Sequence, residues 1–358
     1  MRDVAIIAFA QMPSVRREPE RNDVEMLMPV VSEAIARSGI PRKSIGFTCS
    51  GSSDFLSGIP FSFVSALDAV GAWPPISESH VEMDGAFALY EAWVRLQHGD
   101  VDSALVYSFG QSSLSEIRDV LAMQLDPYYQ APLGIDSVSL AALQARAFLD
   151  ATGRTERDLA TVAARSRRDA LANPNAQVRG EFSIEEILRH PYISSPLRKH
   201  DCPPVSDGAA AIVLAAGDAA RRACKRPAWI SGIDHRIEAH SLGVRDLARS
   251  PSTRMAAAKA GVFASGVGRI GHFDLAELHA PFSHQEWILR DALELEDRVV
   301  INPSGGALSA NPVMVAGLIR LGEAAQRILD GAASRALAHA TSGPCLQQNL
   351  VCVLEARS

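Results

Sequence analysis

The sequence is poor in cysteine, in surplus positive charge and in long apolar runs, and each shortage excludes a class of protein. Its five cysteines form no Cys-x-x-Cys pair, so neither a disulfide framework nor a common zinc site is indicated. The formal net charge is −6, so the chain lacks the surplus of clustered lysine and arginine that nucleic-acid binding needs. Since no apolar run reaches about 18 residues, no membrane span is predicted, and we expect a cytoplasmic protein.

The first part of the chain alternates short apolar runs with amphipathic stretches. Glycine and proline punctuate the runs, as at Gly39 and Pro74-Pro75. This alternation is typical of layered α/β folds. The predicted strands cover 3–10, 45–49, 80–83 and 101–108, and the predicted helices cover 24–38, 61–70 and 85–97.

The sequence pattern changes after position 110, and the β/α alternation resumes near position 227. The middle region has charged helices and proline-rich breaks, which favour a lobe inserted between two α/β halves. We therefore predict three parts, namely 1–110, 111–226 and 227–358, with a strand near 206–216 that closes the first half. The later predicted strands cover 229–234, 273–278, 299–302, 336–341 and 350–355, and the later helices cover 252–260, 285–295 and 310–329.

A glycine pair follows the apolar run 299–301, in the string Asn302-Pro303-Ser304-Gly305-Gly306. Such a string predicts a tight turn between a strand and a buried helix. Without Cβ atoms, Gly305 and Gly306 admit a close ligand or backbone, and a helix start favours negative charge. The alternative interpretation is a plain packing turn. The sequence predicts that these glycines contact a ligand or a neighbouring segment.

Several strings together resemble the thiolase family over nearly the whole chain. They are Ser206-Asp207-Gly208-Ala209-Ala210-Ala211, the 274–282 string Asp-Leu-Ala-Glu-Leu-His-Ala-Pro-Phe and the 302–306 string. The match looks most like sterol-carrier-protein thiolases and bacterial lipid-transfer thiolase-like proteins. The resemblance implies an α/β protein with the five-layered αβαβα thiolase fold, two similar halves and a lobe that covers coenzyme A. It also implies a dimer with a continuous sheet.

The sequence departs from the thiolase pattern at the position of the family's nucleophilic cysteine. The resemblance places that position at Gly85, at the start of the helix that follows Val81-Glu82. Glycine offers no thiolate, so no acyl-enzyme is expected. The neighbouring Asp84 is interpreted as a helix cap, with a catalytic role as the alternative.

Two further positions carry the chemistry that remains. Asn311, in Ala310-Asn311-Pro312, stands where the family has Gly-His-Pro; its amide can donate to an oxyanion but is no base near neutral pH. His279 matches the histidine of the sterol-carrier branch and is our candidate for general base or oxyanion donor. A metal pair with His284 is not indicated.

The remaining predicted site residues concern the second family cysteine and coenzyme A. The equivalent of that cysteine is Gly343, and Cys345, two residues on, is either catalytic or a small buried hydrophobe. Ser241, Leu242, Gly243 and Arg245 fall where the family loop contacts coenzyme A, and arginine suits phosphate. The basic run Arg165, Arg167 and Arg168 is interpreted as a solvated helix face rather than a phosphate site.

Three functions are compatible with this pattern. The first is an enzyme that makes or breaks a C–C bond of a coenzyme A thioester by aldol or retro-aldol chemistry, without an acyl-cysteine. The resemblance implies an acyl-CoA substrate, no covalently bound cofactor, and either a homodimer or a heteromer with an OB-fold/zinc-ribbon (DUF35) protein. The second is an acetyl-CoA acetyltransferase with residual activity. The third is a catalytically silent subunit or acyl-CoA binder.

Overall fold

The computed structural model describes residues 1–263 and 272–357. In these ranges the strands are β1 (Val4–Gln11), β2 (Phe47–Gly51), β3 (Glu78–Val81), β4 (Ser103–Gln111), β5 (Tyr192–Ser194), β6 (Leu197–Arg198), β7 (Asp207–Ala216), β8 (Ala228–Ile237), β9 (Leu275–Leu278), β10 (Val300–Ile301), β11 (Arg335–Ser342) and β12 (Gln348–Glu355).

The helices of the same ranges are α1 (Asp23–Ser38), α2 (Asp54–Ser57), α3 (Ser62–Val70), α4 (Gly85–His98), α5 (Ile117–Ala122), α6 (Ser137–Thr152), α7 (Glu156–Asp169), α8 (Ile184–Arg189), α9 (Gly217–Ala223), α10 (Pro251–Lys259), α11 (Ser283–Ala292), α12 (Gly306–Ser309) and α13 (Ala316–Leu329). None of these described helices is long and apolar enough to cross a bilayer.

Ten strands follow one another in the order β10-β9-β11-β12-β8-β1-β7-β4-β2-β3. When the five strands of each half are counted along the chain, the order from the edge to the middle is third, second, fourth, fifth and first in both halves. In one half β3, β2 and β4 run parallel, and β7 is antiparallel to both of its neighbours, β4 and β1. In the other half β10, β9 and β11 run parallel, and β12 is antiparallel to both of its neighbours, β11 and β8. The halves meet where Ala5 and Ile6 pair with Trp229 and Ala228, so the chain consists of two similar units.

Helices cover both faces of each half and give five layers. The central layer holds α4 and α13, whose Leu89 and Leu318 share one core with residues of both halves. Helices α1 and α3 pack on the outer face of the first half, for example through Leu27. Helices α10 and α11 pack on the outer face of the second, for example through Leu289. The predicted five-layered α/β arrangement is confirmed.

The segment between β4 and β7 forms a lobe against the second half. Phe148 of α6 and Leu159 of α7 join the core formed by β9 and α11, where Leu278 and Ile288 are buried. The lobe therefore lies over the carboxyl ends of the second half's parallel strands, where α/β proteins commonly place their sites. The predicted boundaries at 110 and 226 stay a prediction.

The predicted helix 310–329 is wrong at its start. Residues 306–309 make a single helical turn, and α13 begins only at Ala316. Between them, the backbone N–H of Asn311 donates to Ser206 Oγ at 3.0 Å, and Pro312 bridges to Ser206. Proline inside a helix removes a backbone hydrogen bond. Contacts with the first half hold residues 310–312 extended, and residues 313–315 form a turn before α13. The apolar pattern alone does not show these contacts.

The central layer depends on close packing between α13 and β1. A Cβ atom at Gly322 would lie 2.2 Å from the ring of Phe9. We expect Gly322→Ala to lower the free energy of unfolding by about 1–3 kcal/mol, because the buried ring has little room to move. Urea unfolding measures this, with Gly243→Ala as control, since its Cβ has open space. Equal stability of the two variants would contradict the packing described.

Candidate active site

A cavity of 170 Å³ lies where the two central helices begin and where β9 and β11 end. It is lined by four of the predicted catalytic residues, which are Asp84, His279, Asn311 and Cys345. These side chains come from the β3–α4 junction, the end of β9, the α12–α13 link and the β11–β12 turn. The structure therefore brings together residues from both halves at one cavity.

Asp84 caps both central helices. Its carboxylate accepts hydrogen bonds from Ala86 N at the start of α4, at 2.8 Å, and from Gly317 N and Leu318 N at the start of α13, at 2.8 and 3.0 Å. Burial raises the pKa of Asp84 to about 6, although the three N–H donors act in the opposite direction. The carboxyl group is thus ionised at neutral pH and titrates just below it.

Gly85 starts α4, at the position where the resemblance predicts the lost nucleophile. A Cβ atom there would lie 2.6 Å from Ser108 Cβ and 2.9 Å from Leu318 Cδ2. Real Cβ atoms do not approach other carbons so closely without displacing them. The space that a cysteine side chain would occupy is therefore filled by the protein itself.

Hydrogen bonds fix the orientation of His279 and Asn311. The backbone N–H of Thr341 donates to His279 Nδ1 at 3.3 Å, and His279 Nε2 lies 3.1 Å from Asn311 Oδ1. Because an amide N–H can only donate, Nδ1 carries no proton, so the proton is on Nε2 and points to Oδ1. Asn311 Nδ2 then makes no hydrogen bond to any described residue, on a side chain that lines the cavity.

Burial lowers the pKa of His279 to about 4, with the positive charge of Arg320 acting in the same direction and the Asn311 hydrogen bond opposing it. The imidazole is therefore neutral near pH 7. Both ring nitrogens are engaged, Nδ1 as acceptor and Nε2 as donor. The geometry favours a role that positions Asn311 over a role as general base.

A buried ion pair next to the cavity lining stabilises this arrangement. It was not predicted from the sequence. Glu277 of β9 accepts hydrogen bonds from Arg320 Nη1 of α13, at 2.7 Å, and from Ser304 N and Oγ, at 3.0 and 2.7 Å. Glu277 is fully buried and Arg320 is 2% exposed. The pair ties β9, the 302–306 turn and α13 together. The signal for this pair in the sequence is a single charged residue within each of two apolar runs.

Gly305 and Gly306 lie away from the cavity. A Cβ atom at Gly305 would lie 2.7 Å from Ala170 Cβ of the lobe, and the Gly305 carbonyl accepts a hydrogen bond from Ser166 Oγ of α7. The segment that approaches the glycine pair is thus the lobe of the same chain. A ligand contact at these glycines stays a prediction without support from their surroundings.

Cys345 lines the cavity as a protonated thiol. It is 6% exposed, its Sγ–H lies 3.5 Å from the Leu140 carbonyl oxygen, and burial raises its pKa to about 12. A thiol of this kind is a poor acid and base near neutral pH.

The predicted coenzyme A loop lies beside Cys345. Leu242 packs with Leu140 and Cys345, and Ser241 and Gly243 are exposed on the outer side of the same turn. Arg245 donates to the carbonyl oxygens of Pro344 and Cys345 and pairs with Glu238. Since its side chain is only 4% exposed, Arg245 holds the turn that carries Cys345.

The interpretation of the basic run as a solvated helix face is wrong for two of its three arginines. Arg165 pairs with the buried Glu286, and Arg167 is 3% exposed and donates to the Leu308 carbonyl oxygen. Arg168 is exposed. The lobe packs α7 onto α11 and the 304–309 segment, which leaves Arg165 half-buried and Arg167 buried.

Comparison with known proteins extends this description. The sequence is 27% identical to an acetyl-CoA acetyltransferase of Methanothermobacter thermautotrophicus, in an alignment that covers 93% of this chain and 94% of the relative. Over 221 residues, 59% of this chain and 57% of the relative, it is 26% identical to a 17-hydroxy-3-oxo-4-pregnene-20-carboxyl-CoA lyase of Mycobacterium tuberculosis. No protein-family model matches.

Solved structures show the fold class. The Ltp2-ChsH2(DUF35) aldolase superposes with a TM-score of 0.81 at 18% identity, over 99% of this chain and 98% of that one. Human mitochondrial 3-ketoacyl-CoA thiolase in complex with CoA superposes with a TM-score of 0.77 at 14% identity, over 100% and 98%. The chain has the thiolase fold, and its sequence relatives belong to the thiolase superfamily. The predicted sterol-carrier or lipid-transfer branch stays a prediction.

The filled space at Gly85 gives a direct test. We expect Gly85→Cys to lower the free energy of unfolding by about 1–3 kcal/mol through overpacking and to form no acyl-enzyme with acetyl-CoA, as measured by intact-protein mass spectrometry. Gly85→Ala is the matched control, since it adds the Cβ atom without the thiol and should cost a similar amount. A stable Gly85→Cys protein that becomes acylated would contradict the geometry.

Proposed function

We propose that this protein acts on acyl-CoA thioesters and makes or breaks a C–C bond by aldol or retro-aldol chemistry, without an acyl-cysteine intermediate. The observation that supports this most is the cavity itself. It combines a filled nucleophile position at Gly85 with an unpaired amide donor at Asn311 and a carboxylate at Asp84. Aldol chemistry needs a proton acceptor and a site for negative charge but no covalent nucleophile.

Asn311 is the proposed oxyanion donor. Its Nδ2 group is held toward the cavity because His279 engages Oδ1. In retro-aldol cleavage the thioester oxygen gains negative charge as the enolate forms, and a preorganised N–H donor stabilises that charge more than the ground-state carbonyl. His279 is a positioning residue in this proposal.

Asp84 is the proposed base. Among the titratable groups of the described cavity lining, Cys345 is protonated and both nitrogens of His279 are engaged. Asp84 Oδ2 accepts one hydrogen bond, from Gly317 N, and an ionised carboxylate oxygen accepts more than one. Asp84 would take the proton of a 3-hydroxyl. The C2–C3 bond then breaks to leave a carbonyl product and an enolate, which takes a proton at C2.

The relatives support a coenzyme A thioester as substrate and leave the reaction open between two classes. The mycobacterial relative is named as a carboxyl-CoA lyase and the structural neighbour as an aldolase. The archaeal relative is named as an acetyltransferase, and that reaction on a thiolase pattern needs the thiolate that Gly85 does not offer. The acyltransferase is therefore the weaker proposal.

Assembly is part of the proposal. The structural neighbour is a complex with ChsH2(DUF35), and we include a DUF35-type partner or a second copy of this chain, in the cytoplasm. The outer edge of β3 pairs with no described strand. Trp73 and Phe61, which precede it in the chain, are 86% and 68% exposed, as expected for an interface.

A silent subunit is the second candidate, and one observation favours it. Asp84 and His279 both make structural hydrogen bonds, so the site is held together by the same groups that would react. Turnover separates the two candidates.

We expect the protein, alone or with its partner, to cleave a 3-hydroxyacyl-CoA into a shorter acyl-CoA and a carbonyl compound without consuming free CoA. Asn311→Ala should lower kcat/KM by about 100- to 1000-fold, the cost of removing one oxyanion donor. Gln326→Ala, an amide removed outside the cavity, is the control and should leave kcat/KM unchanged. Thiolysis of acetoacetyl-CoA through an acyl-cysteine would overturn the proposal, and CoA binding without any turnover would favour the silent subunit.

The raised pKa of Asp84 predicts two pH effects. Activity should rise with pH through an apparent pKa near 6 and level off above it, since only the ionised carboxylate accepts a proton. The contribution of Asp84 to stability should change in the opposite direction. Between the ordinary pKa of 3.8 and about 6 the folded protein keeps a proton on Asp84 that the unfolded chain has lost, so this contribution decreases as the pH rises. Buried histidines such as His279, whose pKa is lowered, contribute in the opposite sense.

Asp84→Asn should remove both contributions. Urea unfolding of the wild type and of Asp84→Asn between pH 4 and pH 7 measures the difference between their slopes of stability against pH, which separates the loss of titration from the loss of a cap. Equal slopes and an unchanged acid limb of the activity profile would show that Asp84 does not titrate in this range.

A further inference from the structure

A second and larger cleft adjoins the candidate active site. Its volume is 820 Å³, and it shares six lining residues with the smaller cavity, which are Leu121, Ser137, Pro203, Phe282, Asn311 and Val313. We call it the cationic cleft. Asn311 thus lies between the two spaces, and a thioester held at Asn311 would have one end in each.

The lining of the cationic cleft carries an excess of positive charge. Four permanent cations line it, namely Arg16, Arg118, Arg167 and Lys199, against one carboxylate, Glu186. Arg118 pairs with Asp136 at 3.2 Å. Within residues 1–263 and 272–357 the other three cations form no ion pair. Three cations of the cleft are therefore available to pair with a bound anion.

Among these cations, Arg167 gives the strongest indication that the cleft binds an anion. It is 3% exposed, its Nη1 donates to the Leu308 carbonyl oxygen, and its Nε is buried without a hydrogen-bond partner in the described chain. Burial lowers its pKa to about 10, while the charge of Asp201 opposes this shift, so the guanidinium is still charged at neutral pH. A buried cation that forms no ion pair with the described residues is costly, and an anion in the cleft would reduce that cost.

His200 supports the same conclusion. It is 7% exposed, and its Nδ1 is buried without a hydrogen-bond partner in the described chain. Its ring packs at a tilt against the rings of Phe182 and His190, with centroids 4.7 and 5.1 Å away. Burial lowers its pKa to about 4, and the charges of Arg167 and Lys199 act in the same direction. The cleft thus disfavours further positive charge.

We propose that the cationic cleft receives an acyl chain that ends in a carboxylate, which Arg167 binds from the buried wall and Arg16 and Lys199 bind from the exposed rim. This inference rests on the proposed function, since it takes a coenzyme A thioester to be held at Asn311. The predicted coenzyme A turn lies with Leu140 and Cys345, on the wall of the smaller cavity. The acyl chain would therefore extend from Asn311 into the cationic cleft, where a guanidinium suits a carboxylate.

Calorimetry with three probes tests this proposal, using CoA, hexanoyl-CoA and adipoyl-CoA. The last two have six-carbon acyl groups and differ in the terminal carboxylate. We expect adipoyl-CoA to bind about tenfold more tightly than hexanoyl-CoA, as one well-placed charge-assisted contact provides. Equal affinity for the two acyl-CoAs, with CoA itself bound, would overturn this inference and leave the proposed function standing. Failure of all three to bind would overturn both.

Variants locate the contact. The double variant Arg16→Gln/Lys199→Gln changes two exposed side chains and should remove most of the adipoyl preference, while Arg167→Gln should remove it entirely. Affinity for hexanoyl-CoA should stay unchanged in both. Arg222→Gln, an exposed arginine outside the cleft, is the matched control and should keep the full preference. If the cleft variants weaken CoA as much as adipoyl-CoA, the cleft holds the phosphates of CoA and the proposal is wrong.

Discussion

One carboxylate joins the two halves of this protein at the centre of its site. The Asp84 carboxylate accepts hydrogen bonds from backbone N–H groups in the first turns of both α4 and α13, which are the two helices of the central layer. Such close convergence requires small residues on each helix. A Cβ at Gly317 would lie 2.5 Å from Asp84 Oδ1 and 2.8 Å from Ala340 Cβ, just as one at Gly85 would collide with Ser108 and Leu318. The cap and the loss of space for a nucleophile are thus consequences of the same packing.

The capping of both helices by Asp84 also determines which N–H groups are available to stabilise a negative charge on a substrate. Helix N-termini favour negative charge, and on a thiolase pattern that potential would serve a thiolate. Here the N–H groups of both helices are directed at the Asp84 carboxylate. Stabilisation of a substrate oxyanion must therefore come from another donor, and Asn311 Nδ2 is held in the cavity by a chain of hydrogen bonds from Thr341 through His279. In the proposed mechanism, the oxyanion donor therefore lies on the α12–α13 link and not at a helix end.

Much of the fold could be predicted from the sequence, because β/α alternation and glycine or proline breaks are local signals. Strands such as β1 and β7 and the start of α4 at Gly85 fall at or within a few residues of their predicted positions. The path of 310–315 and the burial of Arg167 could not be predicted. Both depend on contacts with segments more than 100 residues away, Ser206 and Leu308, which override local helical and charge patterns. The candidate residues at the cavity came from the resemblance, whereas their orientation came only from the hydrogen bonds.

A site without a covalent intermediate has a stricter need to hold its substrate in place. A covalently attached acyl group stays in the site between steps, whereas a thioester cleaved directly must be aligned by non-covalent contacts alone. Binding energy from parts of the substrate that do not react can supply this alignment. In this protein Asn311 lies between a small apolar-walled cavity and a larger cleft with unpaired cations, so anchors at both ends of a substrate would fix the reacting bond beside Asp84. In the proposed mechanism, the cationic cleft would compensate for the nucleophile that the packing at Gly85 excludes.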